Sequence, residues 1–367
     1  MATKTAAPVE GATGNRFVEA IRREIGQVMA VSGLAVICIF FSIMRPVFRE
    51  WQNISNILLS TTVTGMLALG VTFVIITGGI DLSIGTSMTL CAVTIGKIVV
   101  VHKGPLWLGV IGGIAVGAAV GAINGTLITA LKLPPFIATL ATMKAAQGIA
   151  LIYSQLAPIH FGDPHSQAWT NISQGKIISG LPNAVLILVG AAIIAAIILN
   201  KTIIGRYTFA IGSNMEATKL SGVKVNRWLI IIYSICGAFI GLAAVVLTAR
   251  LGAAEPDLGL GYELEGIAAV IIGGTSLLGG KGTITGTIIG ALIMAVLVNG
   301  LRIMSIQQEW QYVVVGIVII IAVWGDNVRR RRAGDSNRCI HLGLCHLTGR
   351  WIGKPVQERQ QQELHFR

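Results

Sequence analysis

The chain has 367 residues, of which 53% are hydrophobic and 12% charged, with 45 glycines and a formal net charge of +12. A soluble domain carries about 25% charged residues, so this composition excludes a large globular core and points to a polytopic membrane protein. The positive balance is not a nucleic-acid footprint: the basic residues flank apolar runs, as the positive-inside rule expects.

Residues 1–26 are polar and end in Arg22 and Arg23. The apolar run Gln27–Met44 follows. Arg45 and Pro46 come after it, not a small-x-small cleavage site, so it reads as an uncleaved first span. Taking about 20 apolar residues per span, the pattern predicts ten: 27–44, 56–78, 84–101, 106–131, 136–154, 183–199, 228–248, 264–280, 283–301 and 311–325. An even count puts both termini on one side. Arg22, Arg23 and Arg329 to Arg332 then lie on the cytoplasmic side, with Arg45, Arg49, Lys103, Lys176, Arg250 and Arg302 opposite. Cys38, Cys91 and Cys236 sit in apolar runs as small packing residues, and nothing forms a disulfide framework.

The second and third spans are separated by GGIDLSIG, Gly78 to Gly85. Two glycines break the apolar run and place Asp81 and Ser83 near membrane depth. Such a carboxylate is a functional candidate by default, and it equally suits a helix N-cap at the start of the third span. In the fourth span Gly113, Gly117, Gly121 and Gly125 recur every four residues, which lays a groove along one helix face for close packing. Gly282, Gly286 and Gly290 repeat the device in the ninth. Asn124 in the fourth span, and Lys144 and Gln147 in the fifth, are candidates for a translocation path. A lysine at mid-span must face protein, water or a partner charge.

Residues 155–182 form the longest external loop, with His160, Asp163, His165 and Trp169. It supplies too few ligands for a metal site and reads as a docking surface, to which Glu255 and Asp257 add. Gly205 to Arg227 is a long polar interruption. Ser213 and Glu216 have the spacing of a capping box, and Gly222 suits the left-handed turn that ends a helix. A helix of about eight residues, roughly 12 Å, is too short to cross a bilayer. Its basic neighbours Lys201, Arg206, Lys219, Lys224 and Arg227 place it on the cytoplasmic face. It reads either as a docking helix or as an ordinary polar loop.

Glu265 enters the eighth span, which ends in GGTSLLGGKG with Thr275 and Ser276. Gly274 to Lys281 is not a phosphate loop. Five residues, not four, separate Gly274 from Gly280, and Gly282 stands where a magnesium-binding hydroxyl belongs. A polar, glycine-broken segment at membrane depth needs protein or a water-filled cavity over its backbone, which makes it a path or gate candidate. With GGIDLSIG it is compatible with a five-plus-five internal repeat. After Asp326 the basic tail 327–367 changes character. Its Cys339, His341, Cys345 and His346 fit no zinc spacing.

Four stretches together carry a resemblance: GGIDLSIG, PPFIATLATM (Pro134 to Met143), the Gly205–Arg227 segment and GYELEGIAAVIIGGTSLLGGKGT (Gly261 to Thr283). In this order they resemble the ribose-type sugar permeases of ATP-binding-cassette importers, from the first span to Asp326. The resemblance implies an all-α polytopic membrane protein of about ten helices, with broken or re-entrant segments, in a bacterial inner membrane. It implies a permease domain over 27–326 flanked by cytoplasmic segments, and a transport subunit that is not itself an enzyme and needs no cofactor. The implied partners are an ATP-binding subunit, a periplasmic sugar-binding protein, a second permease copy and the lipid bilayer. Gly205, Ser213, Asn214, Glu216, Lys219, Ser221, Gly222, Lys224 and Arg227 would then form the coupling loop. Family members often carry arginine where Gln147 stands, so the positive charge here is moved to Lys144. Ribose is the expected sugar by resemblance alone.

The alternative is an ion-coupled secondary sugar transporter. It needs intramembrane acids, for which Asp81 and Glu265 are the candidates. An intramembrane enzyme has no HExxH, GxSxG or paired carboxylates to work with.

Overall fold

Apolar runs of 18 to 27 residues become helices because the bilayer leaves each backbone group only its own segment for hydrogen bonding. The computed structural model describes residues 30–162, 166–178 and 180–341, with side chains to 325. Among them, eight helices are long and apolar enough to cross a membrane. Six are α2 (Trp51–Ile76), α3 (Ile84–Gly96, continued by a π turn Lys97–Val101), α4 (Leu106–Ala130), α5 (Pro135–Ser154), α7 (Asn183–Lys201) and α10 (Val225–Leu251). The others are α12 (Ile284–Ile303) and the segment Gln308–Gly325 of α13 (Gln308–His341). A shorter apolar helix, α1 (Ala30–Met44), precedes them. The chain is an all-α polytopic membrane protein.

The expected eighth span is not one. Residues 264–280 yield α11 (Tyr262–Ile272), of 11 residues. At 1.5 Å per residue that is about 16 Å, half the roughly 30 Å of hydrocarbon. Gly274, Gly279 and Gly280 all take positive φ, +89°, +84° and +72°. Such a backbone cannot continue a right-handed helix, and the chain turns back into α12.

α2 runs through the centre of the bundle, where Val63 to Ile76 are buried. α4 lies against α10 along the spaced glycines. A Cβ at Gly117 would strike the Gly237 carbonyl, one at Gly121 the Tyr233 carbonyl, and one at Gly125 the backbone of Ile230. On the other side, Gly286 and Gly290 of α12 face the carbonyls of Gly273 and Ala269 at the end of α11.

The described residues of the 155–182 segment are folded. Its two-residue strand β1 (Ile159–His160) pairs antiparallel with β2 (Ala253–Ala254), just after α10. Its short helix α6 (Ser166–Gln174) buries Trp169 in a stack on Phe161, centroids 4.9 Å apart. Asp163 and His165 lie outside the described residues, as do the side chains of Cys339 and His341 and the residues beyond. Two units divide between Ala322 and Val323, and the described portion of the second is helical backbone to His341.

Candidate functional site

The polar stretch between α7 and α10 folds as two short helices, α8 (Ile203–Ser213) and α9 (Met215–Leu220). The expected cap moves by one residue. Ser213 is the last residue of α8, because burial of Gly205, Thr208 and Ile211 extends that helix to it. Asn214 is the N-cap of α9, and its Oδ1 accepts the Ala217 amide at 2.9 Å, as a short polar side chain at that position should. Gly222 ends the helix at φ +84°, its amide donating to the Lys219 carbonyl at 3.1 Å. Every α9 residue except Thr218 is exposed; Leu220 is 89% exposed and Met215 45%. Glu216, Lys219, Ser221, Lys224 and Arg227 surround them, all exposed. Apolar knobs within a charged rim have the anatomy of a docking surface.

The root of this hairpin is tied to both glycine-broken segments. The Gly280 amide donates to the Ile76 carbonyl at 2.8 Å. A Cβ on Gly212, near the end of α8, would strike that same carbonyl and the Gly280 amide. One on Gly279 would meet the Gly212 carbonyl and the Gly78 amide at 2.9 Å each. Three stretches of bare backbone thus meet at one point. The loop of α11–α12 is closed by Ser276 N to Lys281 O at 3.0 Å. Thr275 and Ser276 are buried within it, their hydroxyls unpartnered among the described residues.

Asp81 forms a separate polar knot beside this meeting point. Its Oδ1 accepts the Ser83 amide at 2.9 Å and the Ser83 hydroxyl at 2.6 Å. Asn124 of α4 donates to Ser83 Oγ at 2.9 Å and more weakly to Asp81 Oδ2 at 3.5 Å. The Leu82 amide donates to Thr139 Oγ1 of α5 at 3.2 Å. The carboxylate therefore holds the start of α3 through its N-cap residue, Ser83, not through amides inside the helix. Asp81, Ser83 and Asn124 come together, and all three are buried. Thr139 was missed because only the fold brings PPFIATLATM to GGIDLSIG.

Glu265 sits elsewhere, in the first turn of α11, accepting the Thr64 hydroxyl at 3.3 Å. Arg250, expected on the external side of the membrane, donates to Ser60 Oγ of α2 at 3.4 Å. Lys144 and Gln147 are paired at 3.4 Å on α5, with Lys144 exposed. The expected path residues thus fall in separate places: the Asp81 knot, the α11–α12 loop, the α11 start and the α5 face.

Many spans, two glycine-broken segments that meet, and an exposed capped helix rooted in them define a polytopic membrane permease. The chain belongs to the family described as branched-chain amino acid transport system / permease component, whose model matches residues 53–323. It is 44% identical over 291 residues to the ribose import permease protein of Bacillus subtilis (strain 168), covering 79% of this chain and 89% of that one. It is 39% identical over 300 residues to the ribose import permease protein of Escherichia coli (strain K12), covering 81% and 92%. It is 38% identical over 288 residues to the D-allose transport system permease protein of Escherichia coli (strain K12), covering 78% and 87%. No solved structure matches the chain.

Proposed function

We propose that the chain is the membrane-spanning subunit of an ATP-driven importer of ribose or a related monosaccharide. It works as a pair of permease copies, with a separate ATP-binding subunit on the cytoplasmic face and a sugar-binding protein outside. The observation that carries this is α9. A helix of six residues, exposed at five, buries only Thr218, yet it follows directly on the end of α8, where both broken segments meet. Force applied to α9 reaches Ile76 and Gly280 with no side chain between. Nucleotide binding in a partner then biases the permease between outward-open and inward-open states, by its differential affinity for the two. Basic residues around α9, and the run Arg329 to Arg332, support placing that face and both termini in the cytoplasm. Ribose is favoured by the ribose permeases reported above, while the D-allose permease keeps other aldoses open.

The test is a membrane pull-down of the full chain from its native host, with ATPase activity assayed on what co-purifies. Recovery of an ATP-binding subunit, lost on Glu216→Lys, supports the reading. Sugar uptake that persists with no ATPase partner overturns it in favour of a secondary transporter.

A further inference from the structure

A second polar group gathers along the middle of α2, away from Asp81. Thr64 is at the middle of the 26-residue α2, about 19 Å from either end at 1.5 Å per residue. Its hydroxyl bonds Glu265. Ser60, one turn nearer the β1–β2 side, bonds Arg250. Tyr262 opens α11, three residues before Glu265. Arg302 lies in the last turn of α12, as Arg250 does in that of α10. Glu265, Arg250, Tyr262 and Ser60 are partly exposed and Arg302 is exposed.

Lipid tails do not accommodate such groups at this depth, so ionisable residues there face a polar volume or one another. Here they do not pair: among the described residues no ion pair within 4 Å joins Glu265 to either arginine. Opposite charges held within reach but apart leave room for a polar solute. The chemistry narrows its class. An anion would need the arginines without the carboxylate, and a cation the reverse. A set holding both, with hydroxyls and a phenol, matches a neutral solute whose groups both donate and accept. An aromatic ring adds an apolar face. The group also gathers at the start of a half-helix, the place where discontinuous helices build substrate sites at the membrane midplane.

We infer that Glu265, Arg250, Thr64 and Ser60, with Tyr262 at the start of α11, form a station that hydrogen-bonds the hydroxyls of a monosaccharide in transit. This deepens the importer reading and rests on it. The carboxylate accepts from sugar hydroxyls, and the Arg250 guanidinium donates to hydroxyl and ring oxygens.

The experiment uses the full chain with its co-purified partners, reconstituted in liposomes and supplied with ribose or D-allose, whichever the unmodified transporter moves. Glu265→Gln should lower ATP-driven uptake about tenfold or more, the scale of one lost charge-assisted hydrogen bond. ATPase stimulation by the loaded binding protein should stay within about twofold, because α9 is untouched. In a background whose native cysteines are replaced by alanine, Ser60→Cys should be labelled by a small hydrophilic thiol reagent. The transported sugar should slow that labelling during turnover, while sucrose should not, and an exposed His102→Cys control should respond to neither. Uptake unchanged in Glu265→Gln, uptake and ATPase falling together, or Ser60→Cys labelling indifferent to sugar would each overturn the station. An unmodified transporter that moves neither sugar nor any other monosaccharide overturns the importer reading instead.

Discussion

The Gly280 amide donates to the Ile76 carbonyl at 2.8 Å, joining the two glycine-broken segments backbone to backbone. Gly212 is the third member, and its missing side chain is what lets α8 reach them. Gly212→Ala drives a Cβ into the Ile76 carbonyl, which cannot rotate away as a side chain would. Overpacking of this kind costs about 1–3 kcal/mol. The expected outcome is a lower unfolding midpoint in detergent, together with a reduced ratio of sugar moved to ATP hydrolysed. A wild-type ratio would show that the contact is not a route for force.

Glu216→Lys separates folding from docking. Glu216 is exposed in the first turn of α9, where an acid favours the helix N-terminus by about 0.3–1 kcal/mol. Reversing its charge therefore costs the fold little. The surface that α9 presents changes sign at one point, so uptake should fall sharply while membrane insertion, followed by fractionation, stays normal. Uptake at the parental level would remove α9 from the coupling surface.

The apolar runs made most of the spans legible, because span length is set by the bilayer and not by tertiary detail. Gly222 was legible for a local reason as well, since its positive φ belongs to the turn itself. Ser213 and Asn214 show where local signals stop. Both are good caps, and the choice between them depended on how far α8 is held by burial of Ile211. The half-helix α11 was hidden because the apolar run 264–280 continues past the glycines that end it. Arg250 resembled an external flanking charge, and only the fold turns it toward Ser60. Hydrophobic periodicity reports on which face of a helix is apolar; it carries nothing about which loops meet.

At Asp81 a pair of substitutions should diverge. Asp81→Ala leaves the Ser83 amide and hydroxyl without their acceptor, in a site where Asp81 is 1% exposed and Ser83 fully buried. Each unpaired donor costs about 1–3 kcal/mol. Asp81→Asn keeps an oxygen in the same place and removes a buried charge whose hydrogen-bond partners, Ser83 and Asn124, are neutral. Thermal unfolding in detergent should show a marked loss for alanine and a small change for asparagine. Equal losses would mean that the negative charge itself holds the start of α3.

The glycines of α4 and α5 make the sharpest contrast. Gly121 lies under the Tyr233 carbonyl of α10, and a Cβ there has only backbone to push against. Gly121→Ala must therefore force α4 and α10 apart along their shared groove, at about 1–3 kcal/mol or more. Gly148, in the middle of α5, has nothing within 4 Å of its Cβ position. Gly148→Ala meets no obstacle within the chain and removes a helix-weakening residue worth up to about 1 kcal/mol. The first variant should unfold at lower temperature than the parent, and the second at the same temperature or higher. Measuring both in the isolated chain and in the assembled transporter extends the comparison. If Gly148→Ala is harmless alone but damaging in the assembly, the α5 face that carries Lys144 meets a partner backbone there. A loss already present in the isolated chain would mean that α5 packs more tightly than its open surface shows.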